Sequence, residues 1–154
     1  KIFLNENCKD AVNINDFLES IQLQLDDLDK MKEVGYVKGI TQIFKNGLNK
    51  LALTQRPLHC SDIKREILYV KDKDGWEKDD NKEKITKAIS KVGRKTLQQF
   101  PEWMNKHPNC NNRDTEENEE YHALIENTVA QNTEDNKNKI MKNILKEVII
   151  DKDK

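Results

Sequence analysis

Residues 65–100 read REILYVKDKDGWEKDD followed by NKEKITKAISKVGRKTLQQF, and this one stretch holds two different hydrophobic periods. In its first part Ile67, Tyr69 and the β-branched Val70 lead into a polar turn at Asp74-Gly75, and Trp76 opens a return strand. Asp-Gly supplies the positive φ angles that a tight hairpin needs, so a β-hairpin is expected. In its second part Ile85, Ala88, Ile89, Val92, Thr96 and Phe100 fall on one side of a helix, within roughly 60° of Ile85 either way. A hairpin joined directly to an amphipathic helix predicts a mainly α domain of the α+β class. Its outline would be compact, with about five helices around one hairpin, in an arrangement like a winged helix.

The same helix carries Lys84, Lys87, Lys91, Arg94 and Lys95 along one flank. With Lys64 and Arg65 just before the hairpin, these are the candidate nucleic-acid contacts, because phosphate binding needs a cationic surface. Pro101 lacks an amide hydrogen and is expected to kink or end the helix, with Trp103 continuing its apolar side.

Upstream, Tyr36–Leu51 has a strong helical pattern, with Val37, Ile40, Ile43, Phe44, Leu48 and Leu51 on one arc. Acidic residues in DDLDKMKEV suit the start of a preceding helix at about 26–34, closed by Gly35. Asn13 or Asn15 would cap a short helix bearing Phe17, Leu18 and Ile21. The opening Ile2–Leu4 reads as an extended anchor, and TQRPLHCSD reads as a break imposed by Pro57.

Downstream, Asp114 and Glu117 resemble a capping box ahead of Tyr121, Leu124, Ile125 and Val129. The last helix, at about 135–149, shows Ile140, Met141, Ile144, Leu145, Val148 and Ile149 over nearly half its circumference. That breadth exceeds one core contact and predicts a docking or self-association surface. The chain thus divides into an N-terminal helical part (1–56), a loop and hairpin (57–80) and a C-terminal helical part (81–154) of a single domain.

Composition narrows function less than fold. Lys+Arg total 27 and Asp+Glu 28, so the net charge of −1 gives no global attraction to nucleic acid or membrane. By thirds, however, the charge is −1 over residues 1–50, +4 over 51–100 and −4 over 101–154, which places a mild basic excess around the hairpin and its helix. There are 23 Lys, 17 Asn and 14 Ile among 154 residues, a bias toward AT-rich codons. No apolar run is long enough for a membrane span, and three widely spaced cysteines do not suggest a disulfide scaffold, so an intracellular, non-secreted protein is expected.

Candidate chemistry is sparse. His59-Cys60 with His107-x-x-Cys110 would offer four zinc-type ligands, but adjacent residues such as His59 and Cys60 project apart. The same objection weakens a nucleophilic set of Cys60, His59 and Asp62. Asp62, Glu66 and Glu77 near the hairpin would suit a metal-dependent nuclease if they converged. No glycine-rich phosphate loop occurs. No catalytic residue, metal or cofactor is therefore assigned.

Four stretches, FLNENCKDAVNINDFLESI (3–21), GYVKGITQIFKNGLNKL (35–51), RPLHCSDIKREILYVKDKDGWEKDD (56–80) and KEVIID (146–151), resemble an uncharacterised domain of nucleocytoplasmic large DNA viruses. That domain lies at the C-terminal end of proteins that begin with two-Cys-two-His zinc fingers. The resemblance implies a viral protein in the host cytoplasm or nucleus, with DNA-binding fingers upstream of Lys1, and the absence of a starting Met is read the same way. The resulting expectation is a non-enzymatic accessory domain that provides oligomerisation, protein docking or auxiliary DNA contact. Its partners would be DNA or a second copy of itself.

Overall fold

The computed structural model describes residues 2–150. Seven α-helices and a three-stranded antiparallel sheet make up its regular structure, in the order α1 (Ile14–Ser20), α2 (Leu25–Val34), α3 (Tyr36–Asn49), β1 (Leu58–Asp62), β2 (Ile67–Asp72), β3 (Gly75–Lys78), α4 (Glu83–Leu97), α5 (Phe100–Lys106), α6 (Glu116–Glu126) and α7 (Glu134–Glu147). The α+β class holds, and the sheet has one strand more than the hairpin alone.

Local signals explain most boundaries. Asn13 caps α1 by accepting a hydrogen bond from the Asp16 amide at 2.9 Å, which fills one of the orphan donors of the first turn. Gly35, at φ +89°, closes α2 and opens α3 in a conformation that an L side chain rarely adopts. The start of α4 is held from outside the helix. The buried Asp79 carboxylate accepts from the Lys84 amide at 3.2 Å and the Ile85 amide at 3.0 Å.

Several local expectations change. Phe3–Asn7 forms a single wide helical turn in place of an extended anchor, with Leu4 buried under it. LHCSD, expected as part of a break, is strand β1: Pro57 sits just before it, and its carbonyl accepts from the Lys71 amide at 2.9 Å. The β2–β3 loop is Lys73-Asp74, between paired Asp72 and Gly75, and Gly75 alone supplies a positive φ there. Pro101 sits in the first turn of α5, where its missing donor costs nothing, so the α4 pattern ends at Leu97. Thr115, accepting from the Asn118 amide, caps α6 in place of Asp114, while Glu117 accepts from the Asn109 amide.

The sheet has two differently covered faces because side chains alternate along each strand. Leu58, Cys60, Leu68 and Val70 face the main core, which also takes Phe17 and Leu18 from α1, Ile40, Phe44 and Leu48 from α3, Ile85, Ile89 and Val92 from α4, and Ile140 and Ile144 from α7. All three sequence segments therefore meet in one interior. On the other face the N-terminal turn packs Leu4, Cys8 and Ala11 against Tyr69, Trp76 and Ile150. A separate cluster of Leu28, Trp103, Cys110 and Leu124 joins α2, α5 and α6. Beyond α7 the chain meets the free edge of β1. The Cys60 amide donates to the Val148 carbonyl at 2.7 Å, and the Ile150 amide donates to the Cys60 carbonyl at 2.8 Å. Covering that edge removes a template for pairing with another chain.

Candidate nucleic-acid interface

The basic flank of α4 separates into anchored and unanchored cations. Lys84 is half-buried against the hairpin: it pairs with the Asp72 carboxylate of β2 and, at 2.8 Å, with Glu77 of β3. Its hydrogen bonds to Asp72 and then Glu77 raise its pKa, and the bond from Lys84 in turn lowers that of Asp72. Lys84 thus neutralises carboxylates and is not spare for a phosphate. In a winged-helix arrangement the hairpin would extend the basic surface; here its Asp72 and Glu77 face the first lysine of the helix. Lys95 is also engaged, donating to the Leu18 carbonyl and, at 3.1 Å, to the Ile21 carbonyl, so it closes the end of α1.

Lys87, Lys91 and Arg94 remain exposed along one line of α4. Spacings of four and three residues keep them on one face over about 10 Å of axis. Among the described residues Lys87 and Arg94 have no ion-pair or hydrogen-bond partner, and Lys91 has only a long contact of 3.5 Å to the Asn15 amide oxygen. Beside this line α1 and α4 border a cleft of about 260 Å³ lined by Ile14, Asn15, Leu18, Asp72, Lys84, Lys87, Ala88 and Lys91. Lys64 and Arg65 are exposed in the β1–β2 turn, and no hydrogen bond or ion pair links them to α4. Arg65 instead folds back on Asp62, with its amide 3.1 Å from one carboxylate oxygen and its Nε 3.8 Å from the other.

The apolar stripe of α7 does not form a surface. Ile140, Met141, Ile144, Leu145 and Val148 are buried in the chain's own core, and only Ile149, 42 % exposed, faces outward. The stripe is broad because α7 is covered from several sides, by α3, α4 and β1. The docking or self-association surface expected there is filled by the protein itself.

The candidate catalytic groups are not gathered either. Asp62 ends β1 and closes its turn, Glu66 sits in that turn at φ +53°, and Glu77 lies on β3 in the pair with Lys84. Among the described residues no group of three or more His, Cys, Asp and Glu side chains could hold a metal ion. His59-Cys60 and His107-x-x-Cys110 belong to different clusters: Cys60 lies in the main core, whereas His107 stacks on Trp103 at 3.9 Å with Cys110 buried nearby.

Spacing did not reveal the pairing of His59 with Cys8, 51 positions upstream. The two are buried with Sγ 3.8 Å from Nε2, beneath Phe3 and Trp76. Trp76 fixes the approach by donating its indole N–H to the Cys8 carbonyl at 2.9 Å. Burial lowers the His59 pKa to about 4, with the Leu53 carbonyl opposing and the Arg56 charge adding, and burial raises that of the Cys8 thiol. Both groups are neutral near pH 7, so the contact is a packed thiol–imidazole pair and lacks the thiolate that nucleophilic chemistry requires. The strand alternation of LHC, with Leu58 and Cys60 inward, was the sequence signal that His59 faces the other side.

No family model, curated protein or solved structure matches this chain. No helix among the described residues is long and apolar enough to cross a membrane.

Proposed function

We propose that this protein is a non-enzymatic accessory domain of a viral DNA-binding protein, and that it adds phosphate contacts through Lys87, Lys91 and Arg94 on α4. The observation that carries the reading is that these three exposed cations share one face without a carboxylate partner among the described residues, while Lys84 and Lys95 on the same helix are committed to internal contacts. Exposed cations on a rigid helix lose little on meeting a phosphate and release its counterions, which favours binding without reading sequence. The scarcity of exposed Arg agrees with backbone contact over base readout. The resemblance of the four stretches to a domain of large DNA viruses supports the setting, in which upstream zinc fingers would supply specificity.

Fluorescence anisotropy of labelled DNA against the protein, at several salt concentrations, tests this. Three phosphate contacts predict a log–log salt slope of about −2 to −3. K87Q/K91Q/R94Q together should abolish measurable binding, whereas K64Q/R65Q should leave most of it. Binding absent at low salt, or indifferent to the triple change, would refute the proposal.

A further inference from the structure

We infer that the cleft between α1 and α4 is a subsite for one unstacked nucleotide of a single strand, which makes the α4 interface selective for single-stranded over duplex nucleic acid. The inference rests on the phosphate-contact reading above and deepens it.

The cleft combines three kinds of wall. Ile14, Leu18 and Ala88, each 5 % exposed or less, and the methylene stems of the lysines supply its apolar lining, and the Asn15 carboxamide and the Lys87 and Lys91 ammonium groups supply its polar lining. Its volume of about 260 Å³ falls just below the ~300 Å³ where pockets for drug-sized ligands begin, so it suits one small ring and its attachments. A nucleotide matches each wall. Its base has an apolar face, its edge offers donors and acceptors to an amide that supplies both, and its phosphate is an anion.

The polar groups are already placed together. Lys91 Nζ lies 3.5 Å from the Asn15 amide oxygen, so the cation and the amide converge on one spot. Asp72 is the single carboxylate in the lining, and Lys84 holds it, leaving Lys87 and Lys91 as the uncompensated charges. A duplex keeps its bases stacked inside and can meet only the cations outside the cleft. A single strand can turn one base into the cleft while its phosphates meet the same lysines. With no aromatic side chain in the lining, the added affinity is modest, a few-fold and not orders of magnitude.

The test uses the chain with ¹³C-labelled methyl groups. Adding 5′-dTMP should shift the methyl signals of Ile14, Leu18 and Ala88, whereas inorganic phosphate at equal concentration should not. In anisotropy, a 12-nucleotide oligo-dT should bind at least three-fold more tightly than a 12-bp duplex. N15A should reduce that preference, and R94Q, outside the cleft, should weaken both ligands alike. Equal affinity for strand and duplex, or methyl shifts no larger with nucleotide than with phosphate, would overturn the cleft and leave the phosphate-contact reading standing. Failure of both DNAs to bind would remove both.

Discussion

His59 shows how far one side chain's role depends on what lies opposite it. It is 1 % exposed and carries a pKa of about 4, against an ordinary histidine value near 6.5. In the unfolded chain His59 takes up its proton as the pH falls through about 6.5, but in the folded protein it does not do so until about 4. Stability from this residue is therefore complete above pH 6.5 and drains away between there and pH 4, by roughly 3 kcal/mol. Urea denaturation from pH 7.5 to 4.5 should show that loss, and H59F should flatten its dependence on pH. Asp79 is a second decisive residue. D79A removes both acceptors from the start of α4 and should cost about 1–2 kcal/mol, most of which D79N recovers by keeping one oxygen acceptor.

Among elements, α7 is where pattern and packing diverge most. Its stripe of Ile140, Met141, Ile144, Leu145 and Val148 was legible as apolar, but a one-dimensional pattern does not say whether a partner helix or the chain's own core covers it. I144A should cost about 2–5 kcal/mol by leaving a cavity, while I149S, at an exposed position, should change stability by less than about 0.5 kcal/mol. Chemical denaturation of the two variants distinguishes a core helix from a docking helix. On α3, Gly39 marks a close approach to α2: a Cβ there would lie 2.5 Å from Met31 Cγ. G39A should therefore force the buried Met31 aside and destabilise by about 1–3 kcal/mol, measurable as a lower denaturation midpoint. The expectations for α2, α3 and α4 agree with the structure to within a few residues, α3 and α4 because each has a strong 3.6-residue period and α2 because acidic residues and Gly35 mark its ends. β1 escaped notice because LHCSD is short and its pairing with β2 is contained in neither segment alone.

Across the whole molecule the three apolar clusters differ in size, and the contrast between the main core and the one under α5 and α6 predicts unequal stability. The main core ties α1, α3, α4 and α7 to the sheet, whereas Leu28, Trp103, Cys110 and Leu124 form a small cluster under α5 and α6. A region with fewer buried contacts opens at lower free-energy cost. Native-state hydrogen exchange should find α5 and α6 exchanging together, ahead of α3, α4 and α7. W103A should speed that local exchange far more than exchange in α4.

The order of periods along the chain, strand-like at 67–76 and helical on either side, was sufficient for the α+β class, since side-chain spacing in each element must match the face it buries. Local chemistry likewise marked the turn at Gly35 and narrowed the α1 cap to Asn13 or Asn15, of which the fold uses Asn13. The fate of each charged or reactive group was decided by distance across the fold. Lys84 became a counterion because Asp72 and Glu77 came to lie beside it, Lys95 a helix closure because the end of α1 did, and His59 a neutral core group because Cys8, Phe3 and Trp76 cover it. Electrostatic and hydrogen-bond partnerships act over a few ångströms in space, and sequence separations of up to 77 residues carry no record of them.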